Sequence, residues 1–114
     1  MDRITNYQQI ITGILEEEAP IKAVNMPTIE NIVIADTVRN HFMLYSIGWT
    51  EEKDDFIHSC NVHFDIIDGK IWLQANWTEI DFAERLVERG VPKSDIVIGF
   101  QPTELRPATG YAVG

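Results

Sequence analysis

The chain has 114 residues, 45% of them hydrophobic and 24% charged, which makes one ordinary globular domain and leaves no room for a second core. Acidic residues outnumber basic ones 18 to 9, a formal charge of −9, which excludes tight sequence-independent DNA binding by this chain alone and disfavours an anionic membrane surface. No apolar run approaches the roughly 18 residues that a membrane-spanning helix needs.

The first segment reads as a helix. Ile4, Tyr7, Ile11 and Ile14 step by three and four, and Ile10 and Leu15 widen the stripe. Pro20 ends it, because the residue before a proline avoids helical geometry. Glu16, Glu17 and Glu18 fall in the last turn, where the helix dipole disfavours negative charge, and read as a solvated face.

From Thr28 the pattern changes to strands. Residues 29–36 and 41–49 are rich in β-branched and aromatic side chains, with Asn40 between them able to take a left-handed turn conformation. Residues 56–67, Asp68-Gly69 and residues 70–76 read as a β-hairpin closed by a two-residue type I′ turn. Uninterrupted alternation from that turn pairs Ile66 with Ile71, Phe64 with Leu73 and Val62 with Ala75 on one face. It pairs Asp65 with Trp72, His63 with Gln74 and Asn61 with Asn76 on the other.

A second helix follows. Thr78 reads as its N-cap with Asp81 three residues on, and Asp81 is spaced to pair with Arg85. Gly90 and Pro92 close it, and 96–98 reads as a short buried strand. The last 14 residues read as irregular, ending on an apolar Tyr111-Ala112-Val113-Gly114 that should dock somewhere.

The expected fold is α+β in two layers: an N-terminal helix, an antiparallel meander of about four strands, a second helix, a short C-terminal strand and a tail, as one domain over 1–114. The helix-covered face is expected to hold Ile32, Ile34, Met43, Tyr45, Ile47, Cys60, Val62, Phe64, Ile71 and Leu73. The open face would then be polar at one end (Asn61, His63, Asp65, Gln74) and apolar at the other (Val33, Phe42, Leu44), which points to burial by self-association.

Chemistry is sparse. His63 and Asp65 share a face with Gln74 and could serve as an acid/base pair or as two metal ligands, but zinc wants at least three protein ligands and no third has predictable proximity. The bland alternative, a solvated polar patch, is the expectation. His58 falls on the other parity, as a cap of the sheet edge. Cys60, the single cysteine, reads as a core thiol and not a nucleophile, and permits no internal disulfide. Four glycines, Gly48, Gly69, Gly90 and Gly99, are scattered and form no phosphate loop. Trp72 on the open face is a candidate interface anchor, and Trp77 reads as packing at the strand-to-helix corner. The residue chemistry therefore predicts a cytoplasmic protein without cofactor or catalytic residues.

Two long stretches carry a resemblance. Asp68-Gly69-Lys70-Ile71-Trp72-Leu73-Gln74 with Thr78-Glu79, and residues 90–100 from Gly90-Val91-Pro92 to Gly99-Phe100, are similar to the hallmark stretches of the XisI family. Tyr7-Gln8-Gln9, Gly48-Trp49, Arg106 and Thr109-Gly110-Tyr111 fit as well. Gln101 departs from the histidine expected before the proline, and the insert between Pro20 and Thr28 is longer. The resemblance implies a cyanobacterial controlling factor for excision of the element that interrupts an fdxN gene during heterocyst development. It would be a non-enzyme acting beside a nuclease-related XisH-like protein, with the recombinase a separate protein. The expected contacts, to that partner or within a homo-oligomer, are Phe42, Leu44, Trp72, Arg106, Tyr111 and Val113. A small metal- or ligand-binding enzyme using His63, Asp65 and Gln74 is the alternative.

Overall fold

A computed structural model describes residues 2–114. Helix α1 spans Arg3–Glu18, and its N-cap Asp2 accepts a hydrogen bond from the Thr5 amide at 2.8 Å. Strands β1 (Glu30–Asp36), β2 (His41–Trp49), β3 (Phe56–Ile67) and β4 (Lys70–Asn76) form an antiparallel meander in that spatial order. Helix α2 (Phe82–Glu88) then crosses over, so that β5 (Ile96–Ile98) pairs parallel to β4 at the sheet edge. The α+β two-layer expectation therefore holds, with a five-stranded mixed sheet.

Turn chemistry is where the residues announced it. Asp68 and Gly69 both take positive φ, 50° and 79°, as the type I′ hairpin requires, and Asn40 turns β1 into β2 at φ 63°. The amide of Gln8 on α1 donates to the Asn40 side chain at 2.7 Å, tying the helix to that turn. Tyr7, Ile11, Ile14 and Leu15 are buried against the sheet, with Phe82, Ala83 and Leu86 of α2 completing the layer.

The N-terminus of α2 differs from expectation. Asp81 is the N-cap, accepting from the Glu84 amide at 3.0 Å, while Thr78 forms a separate turn by accepting from the Ile80 amide. Arg85 does not pair with Asp81. It reaches Glu18 at 2.8 Å, and Arg89 pairs with Glu17, so part of the acidic end of α1 is clasped by α2 and not merely solvated. These half-exposed pairs orient the two helices more than they stabilise them.

Two bulges correct the face assignments. Between β2 and β3 the register steps from Leu44↔Val62 to Tyr45↔Cys60, leaving Asn61 as the extra residue. Between β3 and β4 it steps from Phe64↔Leu73 to His63↔Ala75, leaving Gln74 extra. Val62 therefore faces Asn76, and the expected pairs Val62–Ala75, His63–Gln74 and Asn61–Asn76 do not form. Cys60 and His58 move to the open face.

The β1 and β2 assignments are inverted as well. Phe42 (0% exposed) and Leu44 (6%) lie in the core beside Phe64 and Val62, with Val33 packed against them. Ile32, Ile34, Met43, Tyr45 and Ile47 line the opposite, open face through the pairs Ile32↔Tyr45 and Ile34↔Met43. These two strands are apolar on both sides, so alternation could not choose which side the helices cover.

Candidate functional site

The open sheet face is organised in rows by the strand registers. At one end the row runs Asp36, His41, Asp65, Trp72, Val97 across all five strands. The next rows hold Ile34, Met43 and His63, then Ile32, Tyr45 and Cys60, then Glu30, Ile47 and His58, and finally Trp49 with Phe56. One end is therefore polar and the rest is an apolar and aromatic surface.

The polar end holds a closed constellation. His41 Nδ1 and His63 Nε2 each lie 2.7 Å from the same oxygen, Oδ1 of Asp65. The Gln74 amide donates to the other oxygen, Oδ2, at 3.2 Å. A carboxylate only accepts, so both imidazoles present an N–H to it. Burial pushes the Asp65 carboxyl upward, but the hydrogen bonds from His41, His63 and Gln74 outweigh it and hold the group below its ordinary range. The predicted trio His63, Asp65 and Gln74 thus does come together, and the structure adds His41. The sequence carried a signal for His41 only through the pairing of β2 with β3, which sets it opposite Asp65.

The tail covers the β4–β5 side of this face. The Ala112 amide donates to the Ile96 carbonyl at 2.8 Å, and Ala112 bridges Val97 in parallel. Trp72 is half-buried beneath the Arg106 guanidinium, 5.0 Å from the ring centroid. Arg106 Nε donates to the Gln101 carbonyl at 3.0 Å, so its charge is used within the chain. Tyr111 packs against the core and Val113 stays exposed. Of the six contacts expected for a partner, Phe42 and Leu44 are core residues, Trp72, Arg106 and Tyr111 fasten the tail, and Val113 alone is largely free. Trp77, expected to pack at its corner, is 82% exposed.

Cys60 is half-buried on the open face, where its thiol donates to the Val62 carbonyl at 3.4 Å and burial pushes its pKa up. Behind the sheet, beyond the C-terminus of α1, lies a groove of about 520 Å³ lined by Ile21, Met26, Ile57 and Phe82. Its polar floor is self-satisfied: Ser46 donates to Asn31 at 2.7 Å and accepts from Asn61 at 2.5 Å. Among the described residues no helix is long and apolar enough to cross a membrane.

The chain is similar over 97% of its length, and 99% of the relative's, to the crystal structure of a XisI-like protein from Anabaena variabilis ATCC 29413, at 40% identity and a TM-score of 0.86. A second solved structure, the fdxN element excision controlling factor XisI from the same organism, is 23% identical with a TM-score of 0.80, over 99% of this chain and 100% of that one. That second likeness is one of fold. No protein with a curated description matches the chain in sequence. The model of the XisI protein family matches residues 1–113, so with 40% identity to a XisI-like protein across nearly the whole fold, the chain belongs to the XisI family.

Proposed function

We propose that this protein is a non-enzymatic accessory factor that controls excision of a DNA element, acting by binding a protein partner and not by cutting DNA itself. The observation that supports it most is the uncovered sheet face, where Ile32, Ile34, Trp49 and Phe56 are each more than a third exposed on one contiguous surface. An excision-controlling role is what the solved XisI relative is described as having. The charge of −9 fits a factor that reaches DNA through another protein, and the raised pKa of the single thiol makes it a poor nucleophile. The partner in this reading is an XisH-like protein in the cytoplasm of a cyanobacterial cell, and the process is rearrangement of an fdxN-type element in heterocysts. A second copy of the chain is the other occupant the face admits.

The test is co-purification with the XisH-like protein at moderate salt, with mass determined by light scattering for the chain alone and for the mixture. A complex of defined mass, lost in Ile34→Glu and kept in Val38→Glu, is expected. A lone monomer that never forms a complex, or a complex indifferent to Ile34→Glu, overturns the proposal.

A further inference from the structure

We propose that His41, His63 and Asp65 form a binding site for a divalent transition-metal ion, with Zn²⁺ the best match to two imidazole nitrogens and one carboxylate oxygen. This goes beyond the partner reading and does not depend on it.

The argument starts from sheet geometry. Residues two apart on a strand point to the same side, and the residue opposite on the neighbouring strand stands between about 4.5 and 5.5 Å away at Cβ. His63 and Asp65 on β3, with His41 opposite Asp65 on β2, are therefore immediate neighbours on one sheet face. Their ligand atoms all lie within 4.8 Å of one another. Tetrahedral zinc with bonds of about 2.0–2.1 Å holds its donors about 3.3 Å apart. The present N···O separations of 2.7 Å must open by about 0.6 Å, and the two imidazole nitrogens, which lie within 4.8 Å of each other, must settle at the same spacing. His41 can supply that movement, because it begins its strand and half of its side chain is exposed.

The surroundings are those of a supported ligand. The Asp65 side chain is only 12% exposed, and among the described residues its charged or chargeable partners are these two imidazoles alone. No lysine or arginine neutralises it there. A dipositive ion held by Oδ1 and the two ring nitrogens would compensate the carboxylate charge directly, with each ligating imidazole carrying its proton on the other ring nitrogen after exchange with solvent. Gln74 holds Oδ2, which leaves Oδ1 as the oxygen aimed at the imidazoles and serves as the outer support that ligating carboxylates usually have. The Gln74 bulge matters here, since it lets that amide reach a carboxylate on the adjoining strand. The remaining coordination position faces solvent on the open sheet face, where a water or a donor from a docked protein can fill it.

The test uses the untagged full-length protein, stripped with a chelator and titrated with Zn²⁺ by calorimetry, and with Co²⁺ by visible absorption. One equivalent of Zn²⁺ and the intense absorption of tetrahedral Co²⁺ are expected. His41→Ala and His63→Ala should each weaken binding at least about tenfold, since loss of even an outer support of a metal ligand costs about 10- to 100-fold. His58→Ala, which removes the remaining histidine, should leave binding unchanged. Where an alanine variant fails to fold, His41→Asn and His63→Gln keep a hydrogen-bond donor and answer the same question. No saturable binding by the wild type, binding that survives the loss of both His41 and His63, or binding lost in His58→Ala overturns the proposal.

Discussion

The guanidinium of Arg106 lies over the indole of Trp72, 5.0 Å from the ring centroid, and so fastens the C-terminal tail to the sheet. The contact explains why an aromatic residue on the open face is not left for a partner. Trp72→Ala is expected to destabilise the domain by about 2 kcal/mol, from lost apolar contact and a cation–π term of about 0.5–1 kcal/mol. The tail beyond residue 100 should become cleavable in limited proteolysis. A tail as resistant as in the wild type would show that the Ala112–Ile96 backbone bond and the packing of Tyr111 hold it without the indole.

The two surfaces of β1 and β2 can be separated by mutation. Phe42→Ala removes a wholly buried ring and should cost about 3–5 kcal/mol in urea unfolding. Ile34→Glu on the opposite face should change stability by less than about 1 kcal/mol while altering self-association or partner binding. The reverse ranking would mean that the helices cover the other face.

The ring of Phe82, the first residue of α2, meets Phe64 of β3 edge to face, with centroids 6.0 Å apart and planes at 87°. Phe82→Leu should cost about 1–2 kcal/mol, and Phe82→Ala about 3–5 kcal/mol because the cavity cannot collapse against a sheet. Equilibrium denaturation of the two variants measures the difference.

Tyr7 on α1 donates its hydroxyl to Asp95, just before β5, and ties the N-terminal helix to the approach to that strand. Burial, reinforced by the Asp95 carboxylate, pushes the phenol up to about 12. The folded pKa lies above the unfolded value of about 10, so the contribution is complete below pH 10 and is lost as pH rises towards 12. Tyr7→Phe should cost about 1 kcal/mol at neutral pH and flatten the alkaline fall in stability between those limits. An unchanged alkaline profile in the variant would place the titrating group elsewhere.

Replacing Gly69 by alanine should cost about 1–2 kcal/mol, since φ of 79° in the hairpin turn is unfavourable for a residue with a Cβ. Thermal melting of the variant gives the value.

Local features were readable from the residues because their causes are local. The α1 stripe, the Asp68-Gly69 turn, the Asn40 turn and the Gly90-Pro92 stop each depend on a few neighbouring side chains, and each lies where it was expected. The XisI-like stretches fixed the family in the same way, as contiguous sequence. The grouping of His63, Asp65 and Gln74 was legible through strand parity and the hairpin turn, although Gln74 arrives by a bulge and not by direct pairing.

The sequence by itself determined the two α-helices, the five strands, their order and the family, while the tail it left irregular holds a 3-10 helix at Thr103–Thr109. Tertiary structure decided which side of the sheet the helices cover, and with it the fate of Phe42 and Leu44. The physical reason is that β1 and β2 carry apolar residues on both faces, so burial energy is nearly equal for either side until pairing with β3 sets Phe42 opposite Phe64 and Leu44 opposite Val62, on the face the helices cover. His41 joined Asp65 for the same kind of reason: 24 residues apart in the chain, they meet only because hydrogen bonding between β2 and β3 sets them face to face.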